Sequence, residues 1–361
     1  MTSINAQRIT SFHSDFIHDI QFDFYGNRIA TCSGDRTVKI WNLHNGKFSS
    51  ASEILIDSDG VNEQKSSNES KSVEPMSIQA HRSAVWRVSW AHPEFGQLLA
   101  TCGADKNVCI FEEVQTGAME PLGMGTGAVN GLEASTTWVE KAKLSEASRS
   151  VSVVQFAPAH HGLMLASGSA DGIVRIYEAI DVMDLDHWTL KGSIEISGGN
   201  IEKNELGVTS ISWCNGLFEP PTLVVGGSSG CVLVYRYSAS SNGWDLILQL
   251  TSHLKGVLDV AWAPNVGRSY HLISSTGKDC KTIVHKLKRG KKGDGERTLE
   301  KESSQELDTG SRENWRCKWN VTGTVLATSG DFGRIQLWKC DFKRNSWKCV
   351  SEVVGEALDK I

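Results

Sequence analysis

Apolar residues in this chain recur at every second position over short runs, and small or turn-forming residues separate one run from the next. The stretch TCSGDRTVKIW, residues 31–41, shows the unit: small residues, an Asp-containing turn, and an alternating run. Alternation predicts half-buried β-strands, and a turn rich in Ser, Gly and Asp between two runs predicts a hairpin. The chain contains this unit six times, with copies that end at Trp41, Phe111, Tyr177, Tyr235, His285 and Trp338.

Each copy holds three alternating runs and therefore predicts three antiparallel strands. The length would suit two or three ordinary domains, but repeats along the whole chain indicate one all-β domain over residues 1–361. The predicted strand cores span residues 17–43, 85–114, 151–178, 208–237, 257–287 and 314–339.

The turn between the second and third runs carries an aspartate in five of the six copies. A short carboxylate there can accept backbone N–H bonds and tolerates turn geometry, so we interpret these residues as structural. They are Asp35, Asp105, Asp171, Asp279 and Asp331, and the fourth copy has Ser229 instead.

The repeats resemble the WD-repeat β-propeller family, in which each repeat supplies one four-stranded blade around a central channel. The resemblance rests on the repeat period and the turn aspartates, because the other sequence signatures of the family are mostly absent from these copies. A Trp ends the third run only in the first and sixth copies, and no copy ends in Trp-Asp. The Gly-His pair survives only as a His, at His13, His81 and His253.

A blade needs a fourth, outer strand, and the segments that can supply one are MSIQAH, WVEKAKL, WTLKGSIEI, WDLILQLTSH, TLEKESSQEL and WKCVSEVV. Six blades are then complete, yet RITSFH, residues 8–13, reads as one more outer strand. Strand counting leaves two arrangements open: a closed ring with one terminal strand as a tail, or an open ring that lacks the inner strands of a seventh blade. The candidate partner edge is Arg8, Ile9, Thr10, Ser11 and Phe12, with Phe12 as its apolar anchor.

Three insertions interrupt the repeats, at residues 44–75, 115–135 and 288–305, and their polar, Gly-rich or charged composition predicts mobile surface loops. The last insertion begins within a basic run, which we interpret as a solvated loop, with a nuclear-import signal or an anionic partner as the alternative. Its residues are Lys286, Lys288, Arg289, Lys291 and Lys292.

Composition narrows the function classes. A formal net charge of −5 argues against a whole-surface attraction to nucleic acid. The nine cysteines are an odd number without a CxxC pair, which indicates buried residues in a reducing compartment. No stretch has the length of a membrane span or the pattern of a signal peptide, so we expect a cytosolic or nuclear protein.

Three short motifs resemble catalytic, cofactor or metal sites, but each lacks the sequence context that such a site needs. GGSSG, residues 226–230, matches a nucleophile elbow around Ser228, but it falls on a strand-to-strand turn. GMGTGA, residues 123–128, lacks the strand and helix of a dinucleotide site. His160 and His161 are adjacent in a loop, where we expect their side chains to diverge and to bind no metal. We predict no enzyme activity, no cofactor and no metal.

Longer phrases narrow the resemblance to the small WD-repeat nucleoporins of the Y-shaped nuclear pore scaffold: SADGIVRIYEAIDVMDLDHWTL, VWRVSWAHPEFGQLLATC, APNVGRSYH and WNVTGTVLATSGDFGRIQLWK. The related COPII outer-coat subunit resembles the IYEAIDVM segment much less. The resemblance implies an open six-bladed propeller that accepts a three-stranded blade in trans from an α-solenoid nucleoporin of the Y complex, at the nuclear envelope.

The same resemblance leaves other roles open. Proteins of this kind also resemble members of SEA or GATOR nutrient-signalling assemblies at the vacuolar or lysosomal surface. A propeller that reads short peptides is a second alternative, and a channel-facing Arg cluster would support it. An enzyme would need a convergent acid, base or nucleophile set, which the sequence does not show.

Overall fold

A computed structural model describes residues 11–44, 47–49, 75–116, 135–196, 207–251, 253–291, 297–310, 313–341 and 346–354. Over these residues the chain forms β-strands and short 3-10 turns, arranged as six antiparallel sheets. Each sheet is one blade of a β-propeller, so the predicted all-β, six-bladed fold is confirmed. No helix in the described part of the chain is long and apolar enough to cross a membrane.

Blades 1 to 3 occupy the N-terminal half of the chain. The strands of blade 1 are β1 (Ile17–Phe22), β2 (Arg28–Ser33), β3 (Thr37–His44) and β5 (Met76–Gln79), and the short β4 (Lys47–Ser49) also pairs with β3. The strands of blade 2 are β6 (Val85–Trp90), β7 (Leu98–Gly103), β8 (Val108–Thr116) and β9 (Ser135–Leu144). The strands of blade 3 are β10 (Val151–Phe156), β11 (Met164–Ser169), β12 (Ile173–Ala179) and β13 (Trp188–Glu195).

Blades 4 to 6 repeat the plan. The strands of blade 4 are β14 (Val208–Trp213), β15 (Thr222–Gly227), β16 (Cys231–Ser238) and β17 (Gly243–Thr251). The strands of blade 5 are β18 (Val257–Trp262), β19 (Tyr270–Gly277), β20 (Thr282–Lys291) and β21 (Arg297–Leu307). The strands of blade 6 are β22 (Asn314–Trp319), β23 (Val325–Gly330), β24 (Arg334–Asp341) and β25 (Ser346–Val354).

The first strand of each sheet is the innermost, since these six strands line up around the central channel and neighbours contact one another from blade 1 through blade 6. A register shift follows the first residue of every innermost strand, for example between Ile17 and Asp19 and between Val85 and Arg87. Such bulges bend the strand and increase its twist. The shift occurs at the same place in all six inner strands, so each of them has an irregularity next to its first residue.

The apolar core lies between blades rather than within them, because neighbouring sheets pack face to face from blade 1 through blade 6. Val85 and Val88 of blade 2 pack against Ala30, Val38 and Ile40 of blade 1. We call the face that meets the preceding blade the leading face, and the face that meets the following blade the trailing face. Alternation along each strand sends successive side chains to these two faces.

Each of the six predicted outer-strand segments contains an outer strand, including the polar segment of blade 5. The prediction of a loop at residues 288–305 is wrong for most of its length, because β20 continues to Lys291 and β21 begins at Arg297. Strands also occupy the ends of the other two predicted insertions. β4 lies within residues 44–75, and the end of β8 and the start of β9 lie within residues 115–135. Residues 50–74 and 117–134 lie outside the described residues.

Candidate partner-binding slot

The turn aspartate of blade 1 ties three parts of that blade together. Asp35 Oδ2 lies 2.8 Å from His13 Nδ1, His13 Nε2 lies 2.9 Å from the Thr31 hydroxyl, and Trp41 donates to the same hydroxyl at 3.4 Å. Burial opposes ionisation of Asp35, but hydrogen bonds from the hydroxyl and amide of Thr37 and from His13 hold its pKa well below the ordinary value. The carboxylate thus anchors the segment before β1 to the β2–β3 turn.

Blades 2 and 5 repeat the arrangement, with Asp105 2.9 Å from His81 and Asp279 2.9 Å from His253. Blade 3 has no His in this place. Its Asp171 instead accepts from Arg175 at 2.9 Å, and the pKa of Asp171 falls to about 2 because the hydrogen bonds from Arg175, Ser169 and Ser148 outweigh burial.

In blade 6, Asp331 accepts a hydrogen bond from the Trp315 indole at 2.7 Å. Both residues belong to blade 6. All five turn aspartates therefore make side-chain contacts inside their own blades, and their structural role stays a prediction.

The leading face of blade 1 is uncovered along its innermost strand, β1, although Ile29 and Trp41 on the same face are buried. Ile20, the fourth residue of β1, is 57% exposed, whereas Val88, Val154, Ile211 and Val260 at the same place in blades 2 to 5 are no more than 4% exposed. Ile17 and Phe22 on the same strand are also exposed, although their counterparts Val85 and Phe156 are buried. Apolar side chains that are core residues elsewhere in the ring face open space here.

The trailing face of blade 6 is uncovered in the same way. Ile335, the first apolar residue of β24, is 42% exposed, whereas Val38, Val108, Val174 and Val232 occupy that place in blades 1 to 4 with at most 1% exposure. Leu337 is half-buried. We call the space between this face and the leading face of blade 1 the slot.

One hydrogen bond crosses the slot among the described residues: Arg316 of β22 donates to the His18 carbonyl of β1 at 3.0 Å. The innermost strands of blades 6 and 1 do not pack side by side as those of the other neighbouring blades do in the described structure. The slot is therefore spanned by a long side chain rather than closed by a boundary of the usual kind.

The predicted partner edge lies only partly within the described residues. Arg8, Ile9 and Thr10 fall outside them, and Ser11 and Phe12 are not in a strand. The Phe12 ring lies 6.1 Å from the ring of Trp41 on the leading face of blade 1, and Lys39 donates to the Phe12 carbonyl. Phe12 has a φ of 53°, which is unusual for a bulky residue. The role of this edge stays a prediction.

The central channel contains a buried ion pair. Arg87 of blade 2 donates to Asp259 of blade 5 at 3.0 Å, and Asp259 also accepts from Ser210 at 2.6 Å and from the Cys317 amide at 3.0 Å. Arg87 is already neutralised by this carboxylate. It therefore does not contribute to the channel-facing Arg cluster that the peptide-reader alternative would need.

The basic run of blade 5 is not a solvated loop. Lys286 lies 3.2 Å from Glu302 and Lys288 lies 3.2 Å from Glu300, both across the β20–β21 pair. Arg289 lies 2.9 Å from the buried Glu219 of blade 4. Lys291 ends β20, and Lys292 lies outside the described residues.

The GGSSG motif lies at a turn between two strands, as its position in the sequence predicted. Ser228 lies in the turn between β15 and β16 and accepts from the Gly207 amide at 2.8 Å, while residues 123–128 lie outside the described structure. The expectation that His160 and His161 diverge is wrong, because their rings lie 4.1 Å apart, and burial lowers the pKa of His161 to about 4. No three described His, Cys, Asp or Glu side chains form a metal site.

Comparison with known proteins agrees with the fold. The family model described as "WD domain, G-beta repeat" matches residues 6–42, 73–112 and 140–178. Nucleoporin SEH1-B of Xenopus laevis is 36% identical over 97% of this chain and 89% of its own length. Nucleoporin SEH1 of Homo sapiens is 35% identical and that of Danio rerio is 34% identical, each over 97% of this chain and 88% of the relative. With this similarity over nearly its whole length, the chain belongs to the SEH1 nucleoporin family of WD-repeat β-propellers.

Proposed function

We propose that this chain is a non-enzymatic scaffold subunit of the Y complex of the nuclear pore, where it accepts a three-stranded β-blade from an α-solenoid nucleoporin and so supports nucleocytoplasmic transport. The observation that carries the proposal is the slot, whose two walls expose Ile20 and Ile335 at positions that are buried in the other blades. The names of the relatives support a place in a nucleoporin assembly at the nuclear envelope.

The energetics favour a permanent partner. Fully burying an Ile or Phe side chain contributes about 1.5–3 kcal/mol. Ile17, Ile20, Phe22 and Ile335 are all more than two-fifths exposed. A whole inserted blade would bury on the order of 2,000 Å², as in obligate complexes. The predicted edge at residues 8–12 would then serve as the fourth, outermost strand of the composite blade.

Other assemblies could use the same slot. A COPII-type coat, or a SEA- or GATOR-type complex at the vacuolar or lysosomal surface, would also present a solenoid subunit. Affinity purification of the native complex, with mass spectrometry, identifies which solenoid is bound and in how many assemblies. Recovery of nuclear pore subunits is the expected result.

The direct test compares two isoleucines that are similarly exposed. Ile20→Asp places a carboxylate in the slot, whereas Ile180→Asp alters an exposed residue of blade 3, where Ile180 is 66% exposed. We expect Ile20→Asp to weaken capture of the co-expressed α-solenoid nucleoporin at least about tenfold, because apolar burial is replaced by a desolvated charge. Ile180→Asp should bind normally. Equal capture of the solenoid by both variants would refute the slot as its binding site.

A further inference from the structure

The boundaries between adjacent blades share a hydrogen-bonding rule. In the innermost strands, the third or fifth residue carries an oxygen that accepts from the amide of the fourth or sixth residue of the following blade. The pairs are Asp19 with Val88 at 3.3 Å, Ser89 with Phe156 at 3.0 Å, Ser210 with Val260 at 3.2 Å, Ser212 with Trp262 at 3.0 Å, and Asp259 with Cys317 at 3.0 Å.

A second kind of bond links the same strands. A Trp at the sixth position donates its indole N–H to the carbonyl of the fifth residue of the preceding blade. These bonds join Trp90 to Gln21 at 3.2 Å, Trp213 to Gln155 at 3.2 Å, and Trp319 to Ala261 at 3.1 Å. Each of the five boundaries from blade 1 to blade 6 has at least one bond of the two kinds among the described residues.

Blade 6 departs from the rule on the side that faces the slot. The third and fifth residues of β22 are Arg316 and Lys318, which are donors and cannot accept an amide N–H. Lys318 is exposed, and no ion pair to its ammonium group is found within the described structure. The inner corner of this wall is therefore cationic.

Blade 1 departs from the rule in the complementary sense. The fourth and sixth residues of β1 are Ile20 and Phe22, and neither amide receives a side-chain acceptor from the described residues. Phe22 has no indole N–H, so the second kind of bond is impossible at this wall. Blade 3 has a Phe at the same place, and there Ser89 accepts from the amide of Phe156.

From these two walls we infer the chemistry of the inserted element: its innermost strand carries a carboxylate that faces Arg316 and Lys318, and a Ser, Thr, Asp or Glu acceptor that faces the amides of Ile20 and Phe22. The inference rests on the proposed insertion of a blade into the slot. Insertion would remove Lys318 from water, and a buried ammonium group without a counter-charge is strongly unfavourable. A partner strand without an acid would leave that cost uncompensated.

The test is a charge exchange in the complex with the α-solenoid nucleoporin, with affinity measured at low and at high salt. Lys318→Glu should weaken binding about tenfold or more, since it places like charges together. Replacement of the acid in the inserted strand with Lys should restore the affinity for this variant. Lys255→Glu, in an exposed residue before β18, is the matched control and should bind normally.

The possible results distinguish a failure of the proposed function from a failure of the inference about the inserted strand. If the unchanged chain does not bind the solenoid, the proposed function is wrong and the inference falls with it. If the chain binds and Lys318→Glu binds equally well at both salt concentrations, only the inference is overturned. A structure of the complex gives a second readout: absence of an acid next to Arg316 or Lys318, or of an acceptor on the amides of Ile20 and Phe22, also overturns it.

Discussion

Replacement of Asp259 with Ala should destabilise the whole ring, because this carboxylate joins several blades at the channel. Asp259 is 2% exposed and accepts from Arg87, Ser210 and the amide of Cys317. The substitution leaves the buried guanidinium of Arg87 without its partner. Breaking a buried ion pair from one side costs about 3–5 kcal/mol.

The size of the expected shift follows from the length of the chain. An unfolding entropy of about 2.1 cal/mol/K per residue gives about 0.76 kcal/mol/K for 361 residues. A loss of about 4 kcal/mol then lowers the Tm by about 5 °C. Differential scanning calorimetry at neutral pH measures this shift directly.

Two controls make the result specific. Asp186→Ala removes an exposed carboxylate of blade 3 and should change the free energy of unfolding by less than about 0.5 kcal/mol. Arg87→Met combined with Asp259→Leu should be more stable than Asp259→Leu alone, because no charge is then left buried. A Tm for Asp259→Ala within about 1 °C of the unchanged chain, or purely additive effects in the double variant, would refute the reasoning.

Three further outcomes are expected. Because the pKa of Asp171 is lowered from 3.8 to about 2, its contribution is present above pH 3.8 and is lost as the pH falls toward 2, so Asp171→Asn should flatten the decline of Tm over that window. Arg289→Gln should cost about 1–2 kcal/mol in a urea titration, since the buried Glu219 loses a charged donor, whereas Lys288→Gln should cost less than about 0.5 kcal/mol. Replacement of residues 50–74 with a short Gly-Ser linker should leave the Tm nearly unchanged, because stability depends only weakly on loop length; a fall of many degrees would mean that the segment packs on the propeller.

The sequence predicts the six blades because each inner strand must alternate to serve two interblade cores. The outer strand of blade 5 lacks this alternation of apolar residues. In Arg297–Leu307 only Leu299 and Leu307 are buried apolar residues, since an outermost strand meets solvent along most of its length. Because of this polar composition, the segment was predicted both as an outer strand and as part of a loop at residues 288–305. The opposite charges of Lys286 and Glu302, which pair across the two strands, are the signal that favours the strand.

The sequence pattern could not predict which residues contact each other across the ring. Arg87 and Asp259 are separated by 172 positions, and each belongs to a strand whose alternation explains its direction but not its partner. The slot is a similar case. Ile20 and Ile335 follow the same apolar pattern as their buried counterparts, so only the arrangement of the blades distinguishes an exposed wall from a core.

Contacts between the blades hold the ring together although blades 6 and 1, over the described residues, do not pack against each other as the other neighbouring blades do. Inner-strand hydrogen bonds join the blades in series from Asp19 to Cys317, and the Arg87–Asp259 pair ties blade 2 to blade 5 across the channel. These contacts hold the six blades together, while blades 1 and 6 each keep one covered face and one face with exposed apolar residues. Direct packing of blade 6 on blade 1 would bring the Arg316 and Lys318 side of β22 against a β1 strand whose Ile20 and Phe22 amides receive no side-chain acceptor from the described residues. Arg316 already donates to the His18 carbonyl, but Lys318 and these two amides are all donors and would not satisfy one another, which disfavours closure. An element that supplies acceptors on both sides, as proposed above, would fit the slot better.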